Sequence, residues 1–384
     1  MGSRIFNCLV VDAVLTLSLV ACGNNFSAGA GGAGGAGPGG GSAGDSVVSG
    51  GESGTTTGGT SPGGGAGDGG NGGATGGTSA AGTGGKPATS CDGAAGTYCQ
   101  DGTSKCRPCA DFSRLEFAAP QKLATLSQTA GNSERFPRAA SSGSDLFYRA
   151  DTVGAEQLKY AANPVSGPGI SIGEVGDSAP LLAPGVLQQN FFFDRFDSNT
   201  ALHHIMVATW ATGQLTNAVA APDPINGTAS DFSIAIASDA ARAYWMSTRS
   251  GKAELLWAGM LGSGATTTPA VLDLQVQAGA AKCPRLADDA TPWVNTAGTL
   301  LLFRNESIDD ACTPNDSGAT DLYAVPLSKD TGLAATAAIA LSSLDKIGGG
   351  SNESDPSLST DSCTIYFTSD NGSADSDLYR AQRN

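Results

Sequence analysis

Five times between Phe136 and the C-terminus the chain spells a turn-rich piece, an unbroken apolar triplet, a polar loop and a third strand-like run. The turn-rich pieces are FPRAASSGSD from Phe136, APLLAPG from Ala179, DFSIAIASD from Asp231, TPWVNTAGT from Thr291 and DPSLSTDS from Asp355. The triplets are Leu146-Phe147-Tyr148, Phe191-Phe192-Phe193, Ala243-Tyr244-Trp245, Leu301-Leu302-Phe303 and Ile365-Tyr366-Phe367. The third runs read EQLKYA, HHIMVA, AELLWA, TDLYAV and SDLYRA. Successive passages start 43 to 64 residues apart, and repeats of that length built from short strands belong to radial β architectures. One small sheet cannot bury both of its faces, whereas sheets set around an axis bury each face against a neighbour. Continuous apolar triplets suit strands covered on both sides, where strict alternation would leave one face wet. After Cys91 no stretch carries a helical period, and Gly, Pro, Asn and Asp punctuate the chain about every ten residues. The sequence therefore predicts an all-β fold, a β-propeller of five blades. The alternative is six, with a further blade in the long gaps before Asp231 or Thr291.

The fifth passage resembles the repeat of TolB-type β-propellers, a WD-like pattern of P-S-x-S-x-D-G-x-x-I/L-Y-F-x-S-D followed by D-I/L-Y. The matching residues are Asp355, Pro356, Ser357, Leu358, Ser359, Asp361, Ile365, Tyr366, Phe367, Ser369 and Asp370. Ser362 stands where that pattern has Gly. The first, third and fourth passages keep the strand positions, and the second is recognisable through Pro180 and its Phe run. The resemblance runs from about Ala110 to the C-terminus and implies protein contacts as the role; TolB itself has six blades. The last passage ends after its third strand, while APQKLATLSQ, from Ala119 to Gln128, reads as an orphan outer strand. Pairing the two would close the ring and remove an exposed edge.

Ahead of the propeller the composition changes abruptly. Of 55 glycines, 29 fall between Gly23 and Gly85, in a segment almost wholly Gly, Ala, Ser and Thr. Residues 23–90 have too little apolar surface to offset the entropy of ordering and are predicted to be a disordered tether. Its root-mean-square span is on the order of 45 Å. Residues 1–22 read as an export signal, with Arg4 ahead of a nine-residue apolar run, Ala13 to Ala21, too short to span a bilayer. The run ends in LVAC, which resembles the lipobox of bacterial lipoproteins and implies lipidation of Cys22. Gly23 in place of Asp favours, by the same resemblance, the outer membrane. The predicted division is thus 1–22 signal, 23–90 tether, 91–110 Cys-rich collar and 111–384 propeller.

Export makes the remaining cysteines candidates for disulfides. Cys91, Cys99, Cys106 and Cys109 fall within nineteen residues, and two local bridges are expected there, with three connectivities open. A zinc site fits less well, because Cys106–Cys109 is the only close pair. Cys283, Cys312 and Cys363 leave an odd count, so one of them is expected to be unpaired and buried or to pair between molecules.

Candidate chemistry is sparse. His203 and His204 are adjacent, so on a strand they point to opposite faces and cannot serve one site. Glu156, Glu254, Asp321 and Asp377 recur at the start of the third strand, as turn or inter-blade hydrogen bonds would require. A glycosidase needs two carboxyls facing one another across a cleft, and no pair stands out. The loops Asp194 to Asn199 and Asp370 to Asp377 carry oxygen ligands without the spacing of an EF-hand. Matches to G-x-S-x-G at Gly40 and Gly59 arise from the composition of the tether, away from the strand and helix the motif needs. No catalytic residue, cofactor or metal is therefore assigned. Of the net charge of −15, the signal carries none and the tether −2, leaving −13 on the rest, which repels nucleic acid and anionic headgroups. The sequence predicts a monomeric, lipid-anchored envelope protein presenting a binding module to an envelope protein or glycan. The alternatives are an envelope glycan hydrolase or lyase at the channel mouth, and a structural spacer. A mouth lined by Ser, Thr and aromatics favours binding; an acid pair there favours the enzyme.

Overall fold

The computed structural model describes residues 97–99, 106–109, 111–127 and 132–384, the last apart from 141–144, 153–154, 163–166, 183–189, 212, 240, 262–263, 286–290, 315–318, 345–346, 348–350 and 373–374. The expectations for Cys22, Cys91 and the 23–90 tether lie outside these residues.

A short hairpin of β1 (Thr97–Cys99) and β2 (Cys106–Pro108) comes first, followed by β3 (Gln121–Lys122). Five sheets then follow in chain order. Blade 1 is β4 (Ser133–Ala139), β5 (Leu146–Thr152), β6 (Ala155–Ala161) and β7 (Ile170–Val175). Blade 2 is β8 (Asp177–Leu182), β9 (Asn190–Asp197), β10 (Leu202–Ala211) and β11 (Gln214–Ala220). Blade 3 is β12 (Asp231–Ala237), β13 (Arg242–Ser247) and β14 (Glu254–Leu261), with β15 (Gly264–Ala265) and β16 (Ala270–Val271) both pairing β14. A hairpin of β17 (Gln275–Ala278) and β18 (Ala281–Pro284) precedes blade 4. That blade is β19 (Trp293–Val294), β20 (Leu300–Glu306), β21 (Thr320–Pro326) and β22 (Ile339–Ala340). Blade 5 is β23 (Glu353–Leu358), β24 (Thr364–Ser369) and β25 (Asp377–Gln382), completed by β3, whose Lys122 and Gln121 face Tyr379 and Arg380. The fold is a five-bladed β-propeller, and the orphan outer strand closes it.

The apolar triplets make the ring cohere. Successive residues of a strand face opposite sides of the sheet, so each triplet serves two interfaces. Phe147 packs with Phe191 and Phe193 between blades 1 and 2, while Leu146 and Tyr148 pack with Tyr366 and Leu378 between blades 1 and 5. Phe192 joins Ala243 and Trp245; Tyr244 joins Leu301 and Phe303; Leu300 and Leu302 join Ile365 and Phe367. The result is one apolar core per inter-blade interface, and almost every triplet side chain is fully buried.

The inner strands share a second feature. Phe136, Ala179, Ser233, Thr291 and Asp355 all adopt positive φ, one in each blade. In four blades this residue lies at a break in register against the second strand, the signature of a β-bulge. A neighbouring blade caps several of the displaced N–H groups. Phe136 N donates to Asp355 Oδ2 (3.4 Å), Ser233 N to both Asp194 oxygens (2.9 Å), and Asp355 N to Thr291 Oγ1 (3.2 Å). Arg138 ties the bulges together. Its guanidinium is buried and donates to the carbonyls of Pro137, Asp355, Pro356 and Pro292. Burial lowers its pKa to about 10 against the pull of Asp355 and Asp194.

Two disulfides correct the expected pairings. Cys109 bonds Cys363, 254 residues away, rather than a local partner, and Cys283 bonds Cys312. None of the three distal cysteines is unpaired. The cause is ring closure: to deliver β3 to β25 the chain must first run along blade 5. There Ala118 N reaches Gln382 O, Asn384 N reaches Glu116 O, and Arg383 Nη2 donates to the carbonyls of Asp111 and Arg114. Arg383 N in turn bonds Cys363 O (2.8 Å), so the run along β25 sets Cys109 beside Cys363. The Cα atoms of Cys99 and Cys106 face each other across the β1–β2 hairpin, and their side chains lie outside the described residues.

Candidate ligand-binding mouth

All five inner strands end around one cavity of about 280 Å³. Ala139 comes from blade 1, Leu181 and Leu182 from blade 2, Ile236 from blade 3, and Leu358 from blade 5. Blade 4 gives the most, with Trp293, Val294 and the turn Asn295-Thr296-Ala297. The turn after β23 adds Ser359, Thr360 and Ser362. Phe112 completes the lining from outside the blades, three residues beyond the Cys109–Cys363 bridge. The bulges upstream deliver these side chains: the strand resumes its pairing with its partner only after the positive-φ residue, with Leu181 facing Phe192 and Ala235 facing Tyr244.

Most polar groups of the lining are already engaged. Asn295 Oδ1 accepts from Thr299 N (2.8 Å) and Leu300 N (3.0 Å), while its Nδ2 donates to Thr299 Oγ1 (2.9 Å). Ser359 Oγ donates to Asp361 Oδ1 (2.5 Å) and accepts from Thr364 N (2.9 Å). Thr360 Oγ1 donates to Ala140 O (3.2 Å). These bonds hold the two turns in shape and leave the lining with apolar surface.

The opposite ends of the inner strands are different. Glu134, Asp177, Asp231 and Glu353 each stand two residues before the positive-φ residue of their strand, and all four are buried. Each has a partner. Asp177 takes Arg195 through both oxygens (2.7 and 3.0 Å) and Glu174 N (2.8 Å). Asp231 takes Arg249 (3.0 Å), Trp245 Nε1 (3.2 Å) and Gly227 N (2.9 Å). Glu353 accepts from the hydroxyls of Ser351 (2.6 Å) and Ser369 (3.2 Å). Glu134 lies in the seam between blades 1 and 5. Burial, then Asp377, raise its pKa to about 7, against the Ser127 hydroxyl and Lys122. Reading only the third strands missed this set. The signal was present: an acid three residues before Pro137, Pro180, Pro292 and Pro356, with Asp231 in the same place in the third passage.

The third-strand acids have structural partners. Glu156 pairs with Arg149 (3.3 Å) and Asp377 with Lys122 (2.7 Å). Ser307 donates to Asp321, whose pKa burial raises, and the Ser250 hydroxyl and Lys252 lower that of Glu254. His203 and His204 do not form a pair. His203 packs between the rings of Phe196 (5.1 Å) and Phe232 (6.1 Å), and burial lowers its pKa; His204 stands opposite Arg195. In the two candidate calcium loops carboxylates already accept protein donors: Asp197 from Asn199 N within its loop, and Asp370 from Gly372 N within its loop and from Asn352 N ahead of β23. Among the described residues no cluster of His, Cys, Asp or Glu has a metal-holding arrangement.

No protein-family description and no curated protein sequence matches the chain. Solved structures of similar shape include a thermostable family-43 glycoside hydrolase, at 12% identity over 67% of this chain and 92% of that one, with a TM-score of 0.43. TolB from Acinetobacter baumannii is similar at 11% identity over 66% of this chain and 56% of its own, with a TM-score of 0.39. The β-propeller domain of the Trilobed protease from Pyrococcus furiosus matches at 11% identity over 65% of this chain and 82% of that one, with a TM-score of 0.35.

Proposed function

We propose that this chain is a non-catalytic binding module of the cell envelope, working as a monomer that contacts an envelope protein or glycan through the mouth cavity. Lipid on Cys22 would anchor it, most readily at the outer membrane, and residues 23–90 would hold the propeller off the surface. One observation carries the binding half: among the described residues, the five blades converge on a lining of aliphatic, aromatic, amide and hydroxyl side chains without a carboxylate, imidazole, amine, guanidinium or thiol. Acid–base and nucleophilic catalysis need a titratable group within hydrogen-bond reach of the reacting atoms. Ser359, the most buried hydroxyl of the lining, is held by Asp361 and Thr364 N, with no histidine beside it. The anchoring half rests on the sequence LSLVAC.

Each half has its own test. Cys22→Ala should move the protein from the membrane fraction to the soluble one, and retention in the membrane would remove the anchor. For binding, the full chain is titrated with envelope proteins and glycan fragments. Ala297→Trp, which projects bulk into the mouth from a part-exposed turn, should weaken binding at least ~10-fold and leave glycans uncut. Cleavage by the wild type would overturn the non-catalytic reading.

Glycan hydrolysis is the second reading; it would act away from the mouth cavity, at Glu134 in the seam between blades 1 and 5, where burial, then Asp377, raise the carboxyl pKa to about 7, in the range of a general acid. Glycan cleavage that Glu134→Gln abolishes without loss of binding would support it, and an inert wild type would remove it.

A further inference from the structure

We infer that the mouth accepts the uncharged, apolar end of its ligand, an aliphatic or aromatic group, and selects it by shape rather than by hydrogen bonding. This rests on the mouth being a binding site, as proposed above. The argument starts from what the lining can still offer. The Asn295 amide, the Ser359 hydroxyl and the Thr360 hydroxyl are committed within the two turns they brace. Among the described residues this leaves the hydroxyls of Thr296, on the exposed rim, and Ser362, together with the indole N–H of Trp293. A saccharide ring inserted here would bury several hydroxyls against Leu181, Leu182, Ile236, Val294 and Leu358, with few partners for them. Buried polar groups without partners are strongly disfavoured, and a bare charge more so. An apolar group faces no such penalty and gains by covering carbon surface.

Two aromatics define the shape. Trp293 stands at the start of β19, where Arg138 takes the carbonyl of the preceding Pro292. Phe112 arrives on the segment pinned by Cys109–Cys363 and by Arg383, whose Nη2 donates to Asp111 O (2.9 Å). Both rings are therefore held from behind, and a preorganised pocket spends less of its binding energy on ordering itself. The occupant is therefore an apolar side chain of a protein partner, since the hydroxyls of a glycan would be buried here with few partners; a glycan occupant is the outcome that the sucrose probe tests.

The test uses the full chain, with its disulfides intact, and four probes of simple chemistry: 1-hexanol, hexylammonium, hexanoate and sucrose. The readout is the indole N–H resonance of Trp293, identified by its loss in Trp293→Phe. 1-Hexanol should shift it saturably, with the two charged analogues at least ~10-fold weaker and sucrose without effect. Ala297→Trp, or Thr296→Trp if that variant fails to fold, should abolish the hexanol response. A Trp293 response to sucrose or to the charged probes, but not to hexanol, would overturn the ligand class while leaving a binding mouth in place. Silence toward all four probes would overturn the mouth as a binding site altogether.

Discussion

The two ends of the propeller are built from the same five strands and differ in how polar groups are used. At one end Asp177 and Asp231 each hold an arginine and a backbone N–H, so charge is consumed in fixing the inner strands. At the other, turns consume their own hydroxyls and amides, and carbon faces the cavity. Between the two lies Arg138, spanning blades 1, 4 and 5. The contrast teaches that an acidic composition need not mean an acidic site. Carboxylates that close a ring are spent, and a ligand meets what the framework left over.

Replacing Arg138 should break the contrast most severely. Arg138→Met leaves the Pro292, Asp355 and Pro356 carbonyls without their buried donor, and should lower unfolding stability by about 3–5 kcal/mol in a denaturant titration. A loss below about 1 kcal/mol would mean that water can replace the guanidinium. Acid–base titration of the seam comes next. Glu134 has a folded pKa raised from 4.5 to about 7, so the folded state favours the neutral carboxyl. The corresponding stability is fully present below 4.5 and is lost as pH rises through 7, on the order of 3 kcal/mol. Glu134→Gln should keep it, so the stability difference between variant and wild type should grow in favour of the variant from pH 4.5 to 7. A flat difference would show that the carboxyl is hydrated in the seam.

Cutting the pin of the collar is a smaller step. Cys363→Ser should cost about 2–4 kcal/mol and also weaken 1-hexanol binding, because Phe112 loses its support; unchanged binding would remove Phe112 from the site. The smallest effect is at Ser362, whose φ is +60°. Ser362→Gly should stabilise the protein by less than about 1 kcal/mol through relief of the left-handed backbone. Destabilisation would mean that its hydroxyl holds the turn.

That last position shows how far the sequence could be read. The TolB-like pattern places Gly where this chain has Ser362, and the structure supplies the reason, a left-handed turn residue closing onto Ser359 O. The apolar triplets declared the blades because a strand buried on both sides admits few other compositions. The closing strand was legible as well, although among the described residues of APQKLATLSQ only Gln121 and Lys122 pair as strand. The cavity was not. Phe112, Leu181, Trp293 and Ser362 meet from four distant parts of the chain, and each is unremarkable in its local context. The Cys109–Cys363 bridge escaped for the same reason, since local spacing carries no trace of a partner 254 residues away. The buried acids left a periodic trace, but it lay two residues upstream of the turn residues that set the frame.

The Cys109–Cys363 bond also decides how the molecule bears tension. β3 pairs with blade 5 through two residues, Gln121 and Lys122, with Ala118 N and Leu123 N bonding blade 5 on either side, and these hydrogen bonds resist a steady pull from the N-terminal side far less than a covalent link does. The disulfide lies ahead of it on the chain. Force entering at Cys109 passes by a covalent link into the β23–β24 turn of blade 5, beside the residues that line the cavity, and β3 is left slack inside the closed loop. A load entering from the N-terminal side would thus run into blade 5 along a short covalent route, with the β3–β25 pairing outside the line of force.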